Sequence, residues 1–318
     1  MIVAYYALIG VGLIAYALTG GADFGAGVWD LLSHGQRKAE LRSAISRAIA
    51  PIWEANHVWL IFVIVLVFTV FPRAFAQIGL RLHVPLTVAL IGIVLRGAAF
   101  TFRAYGLEPP ERQQAWGRVF AVSSVLAPLA LGMALGGLAT GPELGYFSGW
   151  TSSFAIAVGV LATVLFALLA AVYLAADSQG VVAEDFRRSA ILTEVVAAPI
   201  AALALWRAYV DVPAFFWRLW SWPLGALVQL LAFLGAVATI VLLARRRYAL
   251  ARAAVIVQVA AVVLGFGAGM QGDFIVGVVS ISDAGTRPEM LSALSLSVAA
   301  GACLLIPALV LLFRLRQR

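Results

Sequence analysis

Cysteine is almost absent from this 318-residue chain: Cys303 is the only one. No disulfide framework and no thiolate cluster can be built from it. Histidine is nearly as scarce, with only His34, His57 and His83. Charged residues make up 12% of the chain, against roughly 25% in a soluble domain. That deficit excludes an ordinary soluble fold. The N-terminus, MIVAYY, carries no basic segment and no cleavage site, so its first apolar segment is expected to be retained.

What the chain has instead is hydrophobic length. Hydrophobic residues reach 63% and the mean hydropathy is +1.01. Runs of about 18 or more apolar residues mark membrane-spanning helices. The expected fold is an all-α integral membrane protein, a compact bundle of about nine spans in a single polytopic domain over 1–318. The spans fall at roughly 3–31, 45–71, 77–104, 116–139, 152–176, 186–208, 222–244, 249–271 and 290–313. Residues 1–104 carry the polar motifs, and 116–313 supply the remaining helices.

The net charge of +7 does not indicate nucleic acid, because the basic residues sit in short loops between apolar runs. With the N-terminus periplasmic, 16 of the 22 basic residues lie on the cytoplasmic side, five outside, and Arg96 within a span. That is the positive-inside pattern, and it also places the C-terminus in the cytoplasm. The aromatic stretch DVPAFFWRLWSW (211–222) reads as an interfacial belt.

Polar residues inside the spans are few. Span 1 contains GGADFGAG (20–27), with Asp23 among glycines that let helices approach closely. Span 2 opens with PIWEANHVWL (51–60) and holds Glu54, Asn56 and His57 between Trp53 and Trp59. Span 3 contains LRGAAFTFR (95–103), with Arg96 inside. An ionisable group at the centre of a spanning helix costs about 2.5–3.5 kcal/mol on insertion scales, so such groups turn inward and are used. With a rise of about 1.5 Å per residue, Asp23, Glu54 and Arg96 fall about 12–14 Å from the cytoplasmic ends of their spans. Glu194 falls at the same level. One arginine offsets one carboxylate, leaving the second able to exchange a proton. The candidate proton pathway is therefore Glu54, Asp23, Arg96 and His57. A buried ion pair that only ties helices together explains the same residues without transport.

His57 lies three residues after Glu54, on the same helix face. Glu-x-x-His is half of a di-iron motif, which needs a second copy that this chain lacks. A bis-histidine haem between His57 and His83 fails on depth, by roughly 12 Å. No metal is expected, and His57 is expected to be a hydrogen-bonded interior residue. Trp53, Trp59 and Asn56 are candidates for lining a quinone or oxygen path, with helix packing the alternative for the tryptophans.

These three motifs, in this order, resemble those of subunit II of the bd-type quinol oxidases. That family reads approximately D-G-F-D-x-G-x-G, P-x-W-[DE]-x-N-x-V-W-L and F-R-x-x-x-F-x-x-R on its first three helices. The resemblance implies a haem-free subunit in a respiratory complex of the bacterial inner membrane that reduces oxygen to water with electrons from quinol. Its partner, subunit I, would hold the b-type and d-type haems. A structural quinone, a small single-helix accessory subunit and lipid are further expected partners. Glu54 would match the acid of the proton route, Asp23 the second aspartate of the first motif, and Arg96 the motif arginine. Three positions depart from the pattern: Gly20 replaces the first aspartate, His57 stands where Gln or Glu is usual, and Thr101 replaces a frequent acid. The alternative from another class is a stand-alone proton-coupled secondary transporter, which would break its helices at a midplane site. The GGADFGAG stretch is where such a break would fall.

Overall fold

The computed structural model describes residues 1–49, 53–105, 110–141, 147, 149–221 and 224–316. Within them, the side chains at 49, 53–55, 104–105, 110, 288, 302, 305–306 and 309–316 lie outside the description. The helices are α1 (Ile2–Leu32), α2 (Lys38–Ile49), α3 (Trp53–Val70), α4 (Pro72–Tyr105), α5 (Pro110–Ala139) and α6 (Ser153–Asp177), followed by α7 (Gly180–Asp211), α8 (Pro213–Ser221), α9 (Gly225–Ala244) and α10 (Tyr248–Met270). A small hairpin of β1 (Asp273–Ile275) and β2 (Val279–Ser280) leads into α11 (Ile281–Ala284) and α12 (Pro288–Arg316). Among the described residues, seven helices are long and apolar enough to cross a membrane: α1, α4, α5, α6, α7, α9 and α10. Shorter apolar segments run over Asn56–Val70 in α3 and Glu289–Gly301 in α12.

Several boundaries follow from single residues. Pro72 opens α4, where a missing N–H costs nothing. Pro85 cannot donate to the carbonyl four residues back, and α4 kinks beside that point, at Leu82 (φ −116°, ψ 15°). Ser152 caps α6 by accepting from the Ala155 N–H. Arg246, at φ 57°, turns the chain sharply from α9 into α10.

The expected second span, 45–71, is covered by α2 and α3, with residues 50–52 outside the described residues. Residues 38–49 form α2, whose Leu41, Ala44, Ile45 and Ala48 pack as one stripe against the core. That spacing is amphipathic, with Lys38, Glu40, Arg42 and Arg47 on the remaining positions. Glu54 lies on α3, which is described from Trp53 onward. Two segments between the long helices carry regular structure: 211–222 contains α8, and 272–289 contains the hairpin and α11.

α1 occupies the middle, touching α3, α5, α6 and α10, while α4–α5, α5–α6, α6–α7 and α9–α10 pack as neighbouring pairs. Ion pairs gather the arginine-rich segments at one end of the bundle: Arg37–Asp185 at 2.7 Å, Arg246–Glu184 at 3.6 Å and Arg252–Asp177 at 3.1 Å. Arg218–Asp273 at 2.6 Å links α8 to the hairpin, and the Thr286 N–H donates to the Val70 carbonyl. α1 runs unbroken through GGADFGAG, so the helix break required by a transporter is not formed there.

Candidate functional site

The glycines of α1 determine how close its neighbours come. A Cβ on Gly25 would lie 1.8 Å from the Phe166 carbonyl oxygen of α6, and one on Gly27 would lie 2.1 Å from Ser124 Oγ of α5. Trp29 Nε1 donates to the Ala167 carbonyl at 2.7 Å, fastening the same α1–α6 contact one turn later. Backbone-to-backbone approach of this kind depends on small residues, and it brings the polar groups of α1 within reach of α3, α4 and α5.

Arg96 of α4 is 1% exposed and is the largest fully buried side chain among the described residues. Its Nη2 donates to the Asp23 carbonyl at 2.9 Å and its Nε to Ser124 Oγ at 3.1 Å. The guanidinium lies between two aromatic rings, 5.2 Å from the centroid of Phe24 and 5.0 Å from that of Phe120. Cation–π attraction is strengthened when both partners are desolvated. The Asp23 carboxylate accepts instead from Asn56 Nδ2 of α3. Asp23 and Arg96 are thus joined through the main chain of α1 rather than by the direct carboxylate pairing expected from their shared depth. Four helices meet in this one cluster.

Asn56 is 5% exposed and its amide is engaged by Asp23. Among the described residues, the polar group expected to face a quinone is therefore already occupied. His57 differs from expectation: its Nδ1 is buried with no hydrogen-bond partner among the described residues. Its ring sits 6.1 Å from Tyr16 and 6.2 Å from Phe24. The Tyr16 hydroxyl is likewise buried without a partner. Trp59 is half-buried and meets Phe62 edge-on at 6.5 Å. The side chains of Glu54 and Trp53 lie outside the described residues. Glu194 does not join the cluster; it pairs with Gln258 of α10 at 2.7 Å. No group of three or more His, Cys, Asp or Glu side chains suited to a metal forms among the described residues.

Sequence reasoning missed Asp30. This carboxylate, 1% exposed, receives both Nη1 and Nη2 of Arg103 at 2.9 and 3.0 Å. Arg42 Nε approaches it at 3.5 Å, and Arg42 Nη2 donates to its carbonyl at 3.1 Å. The signal was available in the spacing. Asp30 follows Asp23 by seven residues, two helical turns, so both occupy one face of α1. Arg96 and Arg103 repeat that interval on α4. Asp30→Asn is expected to cost about 1–3 kcal/mol, the range for unsatisfying a buried charged hydrogen bond. Asp185→Asn, which loses an exposed pair with Arg37, should change stability by less than about 1 kcal/mol. Thermal unfolding of the two variants side by side checks both values.

The three motifs lie in order on the helices that build this cluster, α1, α3 and α4. The sequence pattern of the family described as cytochrome bd terminal oxidase subunit II matches residues 1–316. The chain belongs to that family. It is 31% identical to the cytochrome bd-I ubiquinol oxidase subunit 2 of Escherichia coli K12 over 137 residues, which covers 43% of this chain and 35% of that protein. It is 26% identical to the cytochrome bd ubiquinol oxidase subunit 2 of Bacillus subtilis 168 over 169 residues, 51% of this chain and 49% of the other. The alignments thus span between about a third and half of the length of these curated relatives. The bd oxidase structure from Geobacillus thermodenitrificans contains a similar chain, with TM-score 0.83 and 26% identity over 99% of this chain and 98% of that one. As a bd oxidase subunit II, the chain is a multi-pass inner-membrane protein.

Proposed function

We propose that this chain is the haem-free subunit II of a bd-type quinol:oxygen oxidoreductase, that it stabilises a haem-bearing subunit I, and that it helps deliver cytoplasmic protons for the reduction of oxygen to water. The observation that carries the reading is the buried cluster of Asp23, Asn56, Arg96 and Ser124, built across α1, α3, α4 and α5. Purely structural packing does not require a carboxylate and a guanidinium this deep, because replacing buried ions with apolar side chains is often neutral or stabilising. Glu54 stands two residues before Asn56 on α3, and is the group proposed to pass protons inward. The haems belong to the partner. Supporting this is the spread of the histidines: His34 and His83 are exposed and accompany backbone carbonyls of their own turns.

The proposed topology has nine spans, counting α3 and α12 with the seven long helices, with the N-terminus periplasmic. The gathering of arginine-rich segments at one end supports that orientation. The exposed apolar residues of α3 and α4, among them Ile61, Val65, Phe68, Leu90 and Val94, form the surface proposed to meet subunit I. Cross-linking confined to α9 and α12 would remove that assignment.

The decisive experiment is Glu54→Gln in the assembled complex. The substitution keeps shape and removes titration, so turnover should fall by about 10²-fold, within the usual contribution of proton-transfer groups. Haem absorption and subunit ratio should stay unchanged. Wild-type turnover at every pH from about 6 to 9, a window bracketing ordinary histidine titration, would make Glu54 structural.

A further inference from the structure

Away from the Asp23 cluster, α7, α9 and α10 enclose a second set of buried polar groups that the oxidase reading does not use. Glu194 of α7 and Gln258 of α10 are 3% and 4% exposed, and Thr239 of α9 is fully buried. Gln258 Nε2 donates to Glu194 Oε1 at 2.7 Å. Three atoms are then left over: Glu194 Oε2, Gln258 Oε1 and Thr239 Oγ1 are all buried with no hydrogen-bond partner among the described residues. Thr239 contrasts with five other helical threonines. Thr19, Thr69, Thr101, Thr163 and Thr193 each donate to the carbonyl four residues back, and Thr239 does not.

Packing brings the three elements together. A Cβ on Gly235 would lie 2.8 Å from Gln258 Cβ, so α9 meets α10 backbone-close at this level. Thr239 is one turn on from Gly235, on the same face of α9, toward the Arg245–Arg247 end of the helix. No ion pair neutralises Glu194 among the described residues. On α7 itself, Arg187 and Arg188 pair with Glu184, and Arg207 with Asp211. On α10, Arg252 pairs with Asp177 and faces Tyr173 of α6. α9 carries no charged residue within Gly225–Ala244. An ionised Glu194 would therefore be a lone charge with a bare oxygen, which is costly in a dry interior. A proton on Oε2 removes the charge and turns an orphan acceptor into a donor.

We propose that Glu194, Gln258 and Thr239 form a second proton-binding site, at which Glu194 is a neutral carboxylic acid exchanging its proton toward the Arg245–Arg247 side through the Thr239 hydroxyl. Binding takes one proton from water onto Oε2, and release returns it to water at that end. The site stands independently of any traffic through Glu54 and Asp23.

Infrared spectroscopy of the purified complex tests this. Wild type at neutral pH should show the carbonyl stretch of a protonated carboxylic acid that is absent from Glu194→Gln and shifts on transfer to deuterium oxide. Thr239→Val should keep the band and slow its deuterium shift by at least tenfold. If Glu194→Gln fails to assemble, Gln258→Leu serves instead, since losing its hydrogen bond must displace the band if Glu194 is the acid that carries it. A wild-type spectrum without a Glu194-dependent acid band overturns the proposal. So does a band abolished by sodium or potassium at constant pH, which would make this a metal-cation site. Unchanged deuterium exchange in Thr239→Val overturns the relay.

Discussion

Gly25→Ala is expected to be the most damaging single methyl that can be added to this chain. The new Cβ would stand 1.8 Å from the Phe166 carbonyl oxygen, 2.4 Å from its carbon and 2.9 Å from the Ala167 nitrogen. All three are backbone atoms in the middle of α6, so no side-chain rotation relieves the overlap. α1 and α6 must part, and the Trp29–Ala167 hydrogen bond opens with them. Overpacking usually costs about 1–3 kcal/mol where side chains can yield; here about 3 kcal/mol or more is expected, with little assembled complex recovered. Gly10→Ala is the control, because a Cβ there meets nothing within 4 Å. It should be neutral or gain up to about 1 kcal/mol from helix propensity. Equal yields and melting temperatures for the two variants would show that the α1–α6 contact has slack the geometry does not suggest.

Arg96→Ala should cost about 3–5 kcal/mol, the range for breaking a buried ionic arrangement from one side. The loss has three parts: the donor to the Asp23 carbonyl, the donor to Ser124, and the filling between Phe24 and Phe120. Arg96→Lys should recover only part, since a single ammonium cannot reproduce the planar fork and stacks poorly on the rings. Arg96→Met combined with Asp23→Asn should be closer to wild type in stability than Arg96→Ala alone, while remaining poor in turnover. Measuring melting temperature and oxygen consumption across the three variants separates holding the helices from moving protons. Full stability in Arg96→Ala would refute the structural half of that division.

Membrane spans and their polar residues were legible because insertion leaves few alternatives: a long apolar run must cross, and a charge within it must find company. Asp23 and Arg96 were identified on that ground, and they do meet. The way they meet was not legible. Depth along an axis says nothing about rotation around it, so the engagement of Asn56 by Asp23 and of Arg96 by a main-chain oxygen could not be foreseen. The same limit separates Glu194 from the cluster despite its matching depth. Asp30 was overlooked because it stands near the end of its helix, where a carboxylate is usually solvated; Arg103 and Arg42 instead enclose it.

The ladder between α1 and α4 also orders events in time. α1 is synthesised before α3 and α4 and carries two carboxylates, so Asp23 waits 33 residues for Asn56 and Asp30 waits 73 for Arg103. At about 5–20 residues per second of synthesis, the longer delay is roughly 4–15 s. For that interval the first helix is an incomplete object, its acids lacking the groups that later satisfy them.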